Sequence, residues 1–213
     1  MKPFDYERTK PYKWYDVMMP VGRVLLYTLF RPKVIGKENI PADASGIILC
    51  SNHLHSIDPV ILGVATKLHW RFIAKMELFE KGFLFWFFTH CNAIPVDREK
   101  IDRQALDCAV ASLEEGSYGL GIFPEGQRSP DGSPQEGKNG VAMLARKTKS
   151  DILPCSIYHA GDLKFRRRIT IRIGELIPFE ELGLGDAPNA RQTRQATAKI
   201  MEAVTALWVK KYD

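Results

Sequence analysis

The chain has 213 residues, 45% of them hydrophobic and 26% charged, which excludes a disordered or low-complexity protein and fits one folded domain. Its formal net charge of +5 favours anionic partners: phosphorylated ligands, acidic lipid surfaces or nucleic acid. Cys50, Cys91, Cys108 and Cys155 are scattered, with no C-x-x-C pair and no zinc-type spacing, so a reduced, cytosolic setting is the natural reading.

The first sixteen residues, "MKPFDYERTKPYKWYD", are charged and carry no apolar run, so no secretory signal is expected. Val17 to Phe30 reads as an amphipathic helix interrupted by Pro20 and Arg23, with Trp14, Tyr15 and Tyr27 beside basic residues. Two readings of it stand level: a helix lying in a membrane interface, or one packed on the domain's own core. It is too short to span a bilayer, which needs roughly 20 apolar residues. Short Val- and Ile-rich runs then alternate with helical patterns. Strands are predicted at 33–36, 46–51, 71–75, 92–96, 120–124, 152–158 and 168–174. Helices are predicted at Pro59 to Lys67, Glu77 to Thr89, Ile101 to Glu115, Lys138 to Lys147 and Ala190 to Tyr212. The run "KGFLFWFFTH" is apolar nearly all round, which means deep burial or contact with something greasy. This alternation predicts an α/β fold: a single-domain mixed, largely parallel sheet flanked by helices. Ligands in such folds collect beyond the C-terminal ends of strands. The polar motifs stand there, after Ser51, Val96 and Phe123.

In "SNHLHSIDPV" (51–60), Asp58 before Pro59 has a plain explanation as a helix cap, with Pro at the first helical position. His53 and His55 need other reasons. A metal site is disfavoured, because no further histidine lies in a recognisable ligand motif. An acid–base pair fits better. His53 and Asp58 are five residues apart across a loop into a helix start, where the helix dipole favours a carboxylate. Such a carboxylate orients an imidazole whose other nitrogen accepts a proton. In "IFPEGQRSPDG" (122–132), Gly126 allows close approach of a ligand to the backbone and Arg128 offers a fork that matches phosphate. The same residues also suit an ordinary turn. In "NAIPVDREK" (92–100), Asp97–Arg98 after a strand end is either a surface ion pair or another phosphate clamp.

Together these stretches resemble the glycerolipid acyltransferase family, the 1-acylglycerol-3-phosphate acyltransferases. "NHLHSID" matches the family's first block through Asn52, His53 and Asp58; "AIPVDR" matches the second through Arg98. "FPEGQRS" matches the third except that Gln127 replaces Thr, and "ILPCSI" matches the fourth through Pro154, with Cys155 where Val or Ile is usual. Lys138-Asn139-Gly140 follows block three as in the family, but Gly137 replaces the usual Phe. Lys75 sits where the family carries a phosphate-contacting lysine.

The resemblance implies transfer of a fatty acyl group from a thioester, acyl-CoA or acyl carrier protein, to the free hydroxyl of 1-acylglycerol 3-phosphate, giving phosphatidic acid. The acceptor could instead be another lysolipid or glycerol 3-phosphate, and a thioesterase-type hydrolase is the rival class. It implies no metal and no cofactor beyond the thioester co-substrate. The expected roles are His53 as base, Asp58 as its orienter, and Lys75, Arg98 and Arg128 on the acceptor phosphate. Glu125 and Gly126 would shape the glycerol site, with a backbone N–H near Gly126 donating to the oxyanion. Residues 1–32 are expected to form an amphipathic membrane-associating segment and 33–213 the acyltransferase domain, peripheral on the cytoplasmic side of the cell membrane. Lys164, Arg166, Arg167 and Arg168 are placed on anionic headgroups, on the phosphates of a carrier, or on a merely solvated face. The basic residues form no recognised nucleic-acid motif, so nucleic acid is not an expected partner.

Overall fold

The computed structural model describes residues 14–80, 82–97, 102–114, 118–161 and 163–212. The elements run α1 (Trp14–Leu29), β1 (Arg31–Ile35), β2 (Ile47–Ser51), α2 (Asp58–Thr66), β3 (Trp70–Lys75), α3 (Gly82–His90), β4 (Ile94–Val96), α4 (Arg103–Glu114), β5 (Gly119–Ile122), α5 (Gly140–Thr148), β6 (Asp151–Tyr158), β7 (Arg168–Ile173) and α6 (Ala190–Leu207). The seven strands form one sheet in the order β1-β7-β6-β2-β5-β3-β4. Among the described strands β6 and β7 pair antiparallel and the other neighbours are parallel. The mixed, largely parallel sheet expected from the sequence is the observed one.

The central strands are continuous apolar runs because helices cover both faces. All five residues of β2 are buried. Ile48 and Cys50 point into a core with α4, α5 and α6. Ile47 and Leu49 point the other way, toward α2 and α1. Each such side chain, fully buried, contributes about 1.5–3 kcal/mol. In β5 the glycines are dictated by neighbours on β3. A Cβ on Gly119 would lie 2.3 Å from the Trp70 ring, and one on Gly121 would lie 2.1 Å from Phe72. Two aromatic rings therefore lie across β5 where side chains would otherwise stand.

α1 packs one face on α2. Gly22 meets Val64, and Gly63 takes Met19 against it. Tyr15 is buried and its hydroxyl donates to the Leu68 carbonyl at 3.1 Å. The opposite face is apolar and exposed: Trp14, Val17, Val21, Val24 and Leu25, with Val24 67% exposed. Packing on the domain's own core thus accounts for one face of this helix and leaves the other, apolar face exposed. No described helix is long and apolar enough to cross a membrane.

Two predicted helices differ from expectation. The span from Glu77 to Thr89 is broken into a 3₁₀ turn at Met76–Phe79 and α3, because Gly82 takes φ +72° at the junction. Within α3, Phe83 is 72% exposed, so this helix is not buried all round. The last helix stops at Leu207 rather than Tyr212, since Trp208 is extended. Beyond it the chain returns to the sheet, where the Ala160 N–H donates to the Tyr212 hydroxyl at 2.8 Å.

Candidate active site

The C-terminal ends of β2, β5, β3, β4 and β6 share one edge of the sheet, and the polar motifs gather there. β2 ends at Ser51. The buried Asn52 side chain then continues the ladder in place of a peptide: its amide donates to the Ile157 carbonyl at 3.0 Å, and its carbonyl accepts the Ile157 N–H at 2.8 Å. This fixes the path of the chain just before His53.

Asp58 is fully buried at the start of α2. It makes no side-chain cap to its own helix; the capping role expected from Asp-Pro is replaced by another. Its Oδ2 accepts three bonds from the preceding loop: the Leu54 N–H at 2.6 Å, the His55 N–H at 2.7 Å and His53 Nδ1 at 2.9 Å. The two backbone donors lock the carboxylate, and the locked carboxylate sets the imidazole so that Nδ1 carries the proton. Nε2 makes no hydrogen bond among the described residues, and the His53 side chain is 14% exposed. His55 points elsewhere: its Nδ1 accepts weakly from Ile57 N–H at 3.4 Å.

The ring of His53 stacks on Phe123, centroids 4.1 Å apart and planes 16° apart. Phe123 stacks in turn on Phe72 at 5.8 Å. The small residues of β5 admit Phe72, Phe72 supports Phe123, and Phe123 holds the imidazole plane. Phe123 opens the "FPEGQRS" block, but that pattern assigned it no role beside His53.

The loop after β5 is tied to His53 at two points. Glu125 Oε1 accepts the His53 N–H at 3.2 Å, and the Ser129 N–H donates to the His53 carbonyl at 2.7 Å. Glu125 is buried and its Oε2 has no hydrogen-bond partner among the described residues. Burial pushes its carboxyl up to about 7, partly offset by the His53 and Gln135 N–H groups. Gly126 is left-handed at φ +72°, and a Cβ there would lie 2.9 Å from Lys138 Nζ. The Lys138 side chain therefore lies along the Gly126 backbone, a neighbour that the sequence pattern did not place in the site. Gly126's own N–H donates to the Phe123 carbonyl at 3.0 Å, closing the turn, so that particular N–H is not free for an oxyanion.

Lys75 ends β3 at the same edge, half-exposed and paired with Glu77 at 2.7 Å. With β5 between β2 and β3, it stands roughly 10 Å along the edge from the end of β2. Arg128 is exposed, next to Ser129. Arg98 lies outside the described residues. The Gly137 departure has a physical cause: a Cβ at 137 would lie 2.6 Å from Met201 Cγ and 3.1 Å from Thr197 Cγ2, so α6 occupies the space a larger side chain would need. Among the described residues, no group of three His, Cys, Asp or Glu is arranged to hold a metal ion.

A family model described as Acyltransferase matches residues 31–158. The chain is 29% identical over 181 residues to a 1-acyl-sn-glycerol-3-phosphate acyltransferase of Bacillus subtilis, covering 82% of this chain and 87% of that protein. A protein of the same name from Streptococcus pneumoniae is 30% identical over 149 residues, covering 68% of this chain and 55% of the relative. Among solved structures, the crystal structure of the 1-acyl-sn-glycerophosphate (LPA) acyltransferase PlsC of Thermotoga maritima superposes with a TM-score of 0.68 at 26% identity, over 92% of this chain and 81% of that one.

Proposed function

We propose that this chain, which belongs to the Acyltransferase family, moves a fatty acyl group from a thioester to the free hydroxyl of 1-acylglycerol 3-phosphate, giving phosphatidic acid. The observation that carries the reading is the His53–Asp58 contact at 2.9 Å, with the far imidazole nitrogen left without a protein partner among the described residues. His53 Nε2 takes the proton of the acceptor hydroxyl as that oxygen attacks the thioester carbonyl. Asp58 stabilises the imidazolium. The tetrahedral species collapses, the carbon–sulfur bond breaks, and the departing thiolate receives the proton from His53. The products are an ester and a free thiol.

No acyl-enzyme enters the scheme. Cys50 and Cys155 are fully buried, and burial pushes both thiols far up, so neither supplies a thiolate. Lys75 at the end of β3, Arg128 in the loop after β5 and Arg98 bind the acceptor phosphate, with Lys138 as a further cation beside Gly126. Glu125 and Gly126 shape the glycerol side. The relatives that bear the name of this activity support the acceptor assignment. Residues 1–32 form the membrane-associating segment and 33–213 the acyltransferase domain. The exposed apolar face of α1 supports a bilayer surface as partner. In this reading the enzyme is peripheral, on the cytoplasmic side of the cell membrane.

The test is thiol release from palmitoyl-CoA by purified protein, with and without lysophosphatidic acid, beside His53→Ala. Acceptor-dependent release that falls a hundredfold or more in the variant is expected. Release without acceptor would make the protein a thioesterase, and near-normal turnover by His53→Ala would remove the base from the mechanism.

A further inference from the structure

A second group of cations sits away from the proposed acceptor site, on the other flank of His53. Arg31 opens β1 and stands in parallel register with Arg168, which opens β7. Backbone bonds hold the approach to β7 against the end of α1. The Arg166 N–H donates to the Leu29 carbonyl at 2.6 Å, the Arg31 N–H to Arg167 at 3.0 Å, and the Arg167 N–H to Lys164 at 2.9 Å. Arg166 is left-handed, at φ 57°. The result is a cleft of about 480 Å³ lined by Arg31, Lys164, Arg166, Arg167 and Arg168. Phe165 and Tyr212 complete its walls.

Among the described residues no carboxylate lines the cleft, and none of the five cations has a carboxylate partner. Backbone geometry thus gathers five positive charges, four of them on exposed residues, whose mutual repulsion water screens but no described carboxylate offsets. An anion of several charges would relieve it, and guanidinium forks match phosphate oxygens. The register places the cleft relative to the chemistry. Thr170 of β7 pairs with Tyr158 of β6, and Cys155 of β6 pairs with Ser51 of β2. The cleft is therefore at the same sheet edge as His53, about 10–15 Å along it, two to three strand spacings away. The described residues proposed for the acceptor phosphate, Lys75 at the end of β3 and Arg128 in the loop after β5, lie on the opposite side.

We infer that this cleft is a second phosphate site, which takes the phosphate esters of a CoA-type thioester donor or those of an anionic phospholipid headgroup. The chemistry is shared and the sources differ. A donor held here by its nucleotide phosphates has a pantetheine arm to lead its thioester along the edge to His53, with Tyr212 or Phe165 available to stack on the base. A headgroup held here would put Phe165, 70% exposed, into the lipid beside the end of α1. The donor alternative rests on the acyl-transfer reading; phosphate binding does not.

The experiment measures binding, not turnover, so that it stands apart from the test of the catalytic reading. Full-length protein is titrated calorimetrically with desulfo-CoA. Separately, it is sedimented with phosphatidylcholine vesicles containing or lacking phosphatidylglycerol. Wild type is compared with Arg166→Gln/Arg168→Gln, Lys164→Gln and His53→Ala, each checked for unchanged thermal unfolding. A donor site predicts desulfo-CoA affinity at least tenfold weaker in the double variant, several-fold weaker in Lys164→Gln, and unchanged in His53→Ala. A headgroup site predicts the same losses for phosphatidylglycerol vesicles alone. Binding of both probes that ignores the double variant, or binding of neither by wild type, overturns the inference.

Discussion

Asp58→Asn separates what the carboxylate does by shape from what it does by charge. The two backbone donors on Oδ2, from Leu54 and His55, would hold the asparagine carbonyl oxygen where Oδ2 is. That oxygen still accepts from His53 Nδ1, so the imidazole keeps its plane and its tautomer. The new NH₂ falls where Oδ1 stands, buried and without a partner among the described residues. What disappears is the negative charge facing the imidazolium. Two unit charges about 4 Å apart in an effective dielectric near 20 interact by ~4 kcal/mol. That is about three decades in rate. His53 is 14% exposed, so solvent screens part of it. The expected fall in kcat is therefore roughly 10²–10³-fold, with KM for the acceptor little changed. Asp58→Ala should lose as much activity and also stability. It orphans two backbone N–H groups, each costing about 1–3 kcal/mol if they stay out of water. Thiol release under saturating substrates gives kcat, and urea unfolding gives the stability difference. An Asp58→Asn enzyme within threefold of wild type would refute the argument that the carboxylate acts through its charge on His53.

Glu125 should leave a pH signature in stability. Its folded carboxyl titrates at about 7 against 4.5 when unperturbed, so between those values the native state keeps a proton that the unfolded chain has lost. This group's contribution to stability falls as pH rises from 4.5 to 7. Glu125→Gln should gain on wild type across that window and hold a constant advantage above it; parallel urea midpoints throughout would contradict the assignment. Gly126→Ala combines a left-handed backbone with a close approach to Lys138, and should cost about 1–2 kcal/mol from the backbone alone. Because the same loop carries the Ser129 bond to His53, a larger relative loss in kcat should accompany it, measured in the same assay. Val21→Asp with Val24→Asp alters only the exposed face of α1, so thermal unfolding should stay within about 0.5 kcal/mol of wild type. Sedimentation with vesicles should fall sharply; unchanged sedimentation would show that this face does not meet the bilayer.

Local signals carried much of this fold. Central strands such as β2 and β6 announced themselves as short apolar runs, because a strand covered on both faces must be apolar along its whole length. The break before α3 was missed because Glu80-Lys81-Gly82 is a short interruption between two apolar stretches that together read as one helix. The end of α6 was missed because Trp208 and Tyr212 look helical by composition, while their partners, Tyr158 and Ala160, are on a distant strand end.

For the candidate site, the sequence by itself determined which residues were brought forward: an imidazole five residues before a carboxylate at a helix start, and cations that follow predicted strands in the chain. Spacing within one loop suffices for that, since a few bonds of backbone limit where His53 and Asp58 can go. Only the tertiary structure decided what surrounds them. Phe123 flattens against His53 because Gly121 admits Phe72, which depends on β3 lying beside β5. Glu125 is raised in pKa because folding buries it against the His53 loop, to which it bonds across 72 residues of chain. Arg31 joins Lys164 and Arg168 across more than half the chain because β1 pairs with β7. Such neighbours are set by strand order, and strand order is a property of the whole core rather than of any stretch of residues.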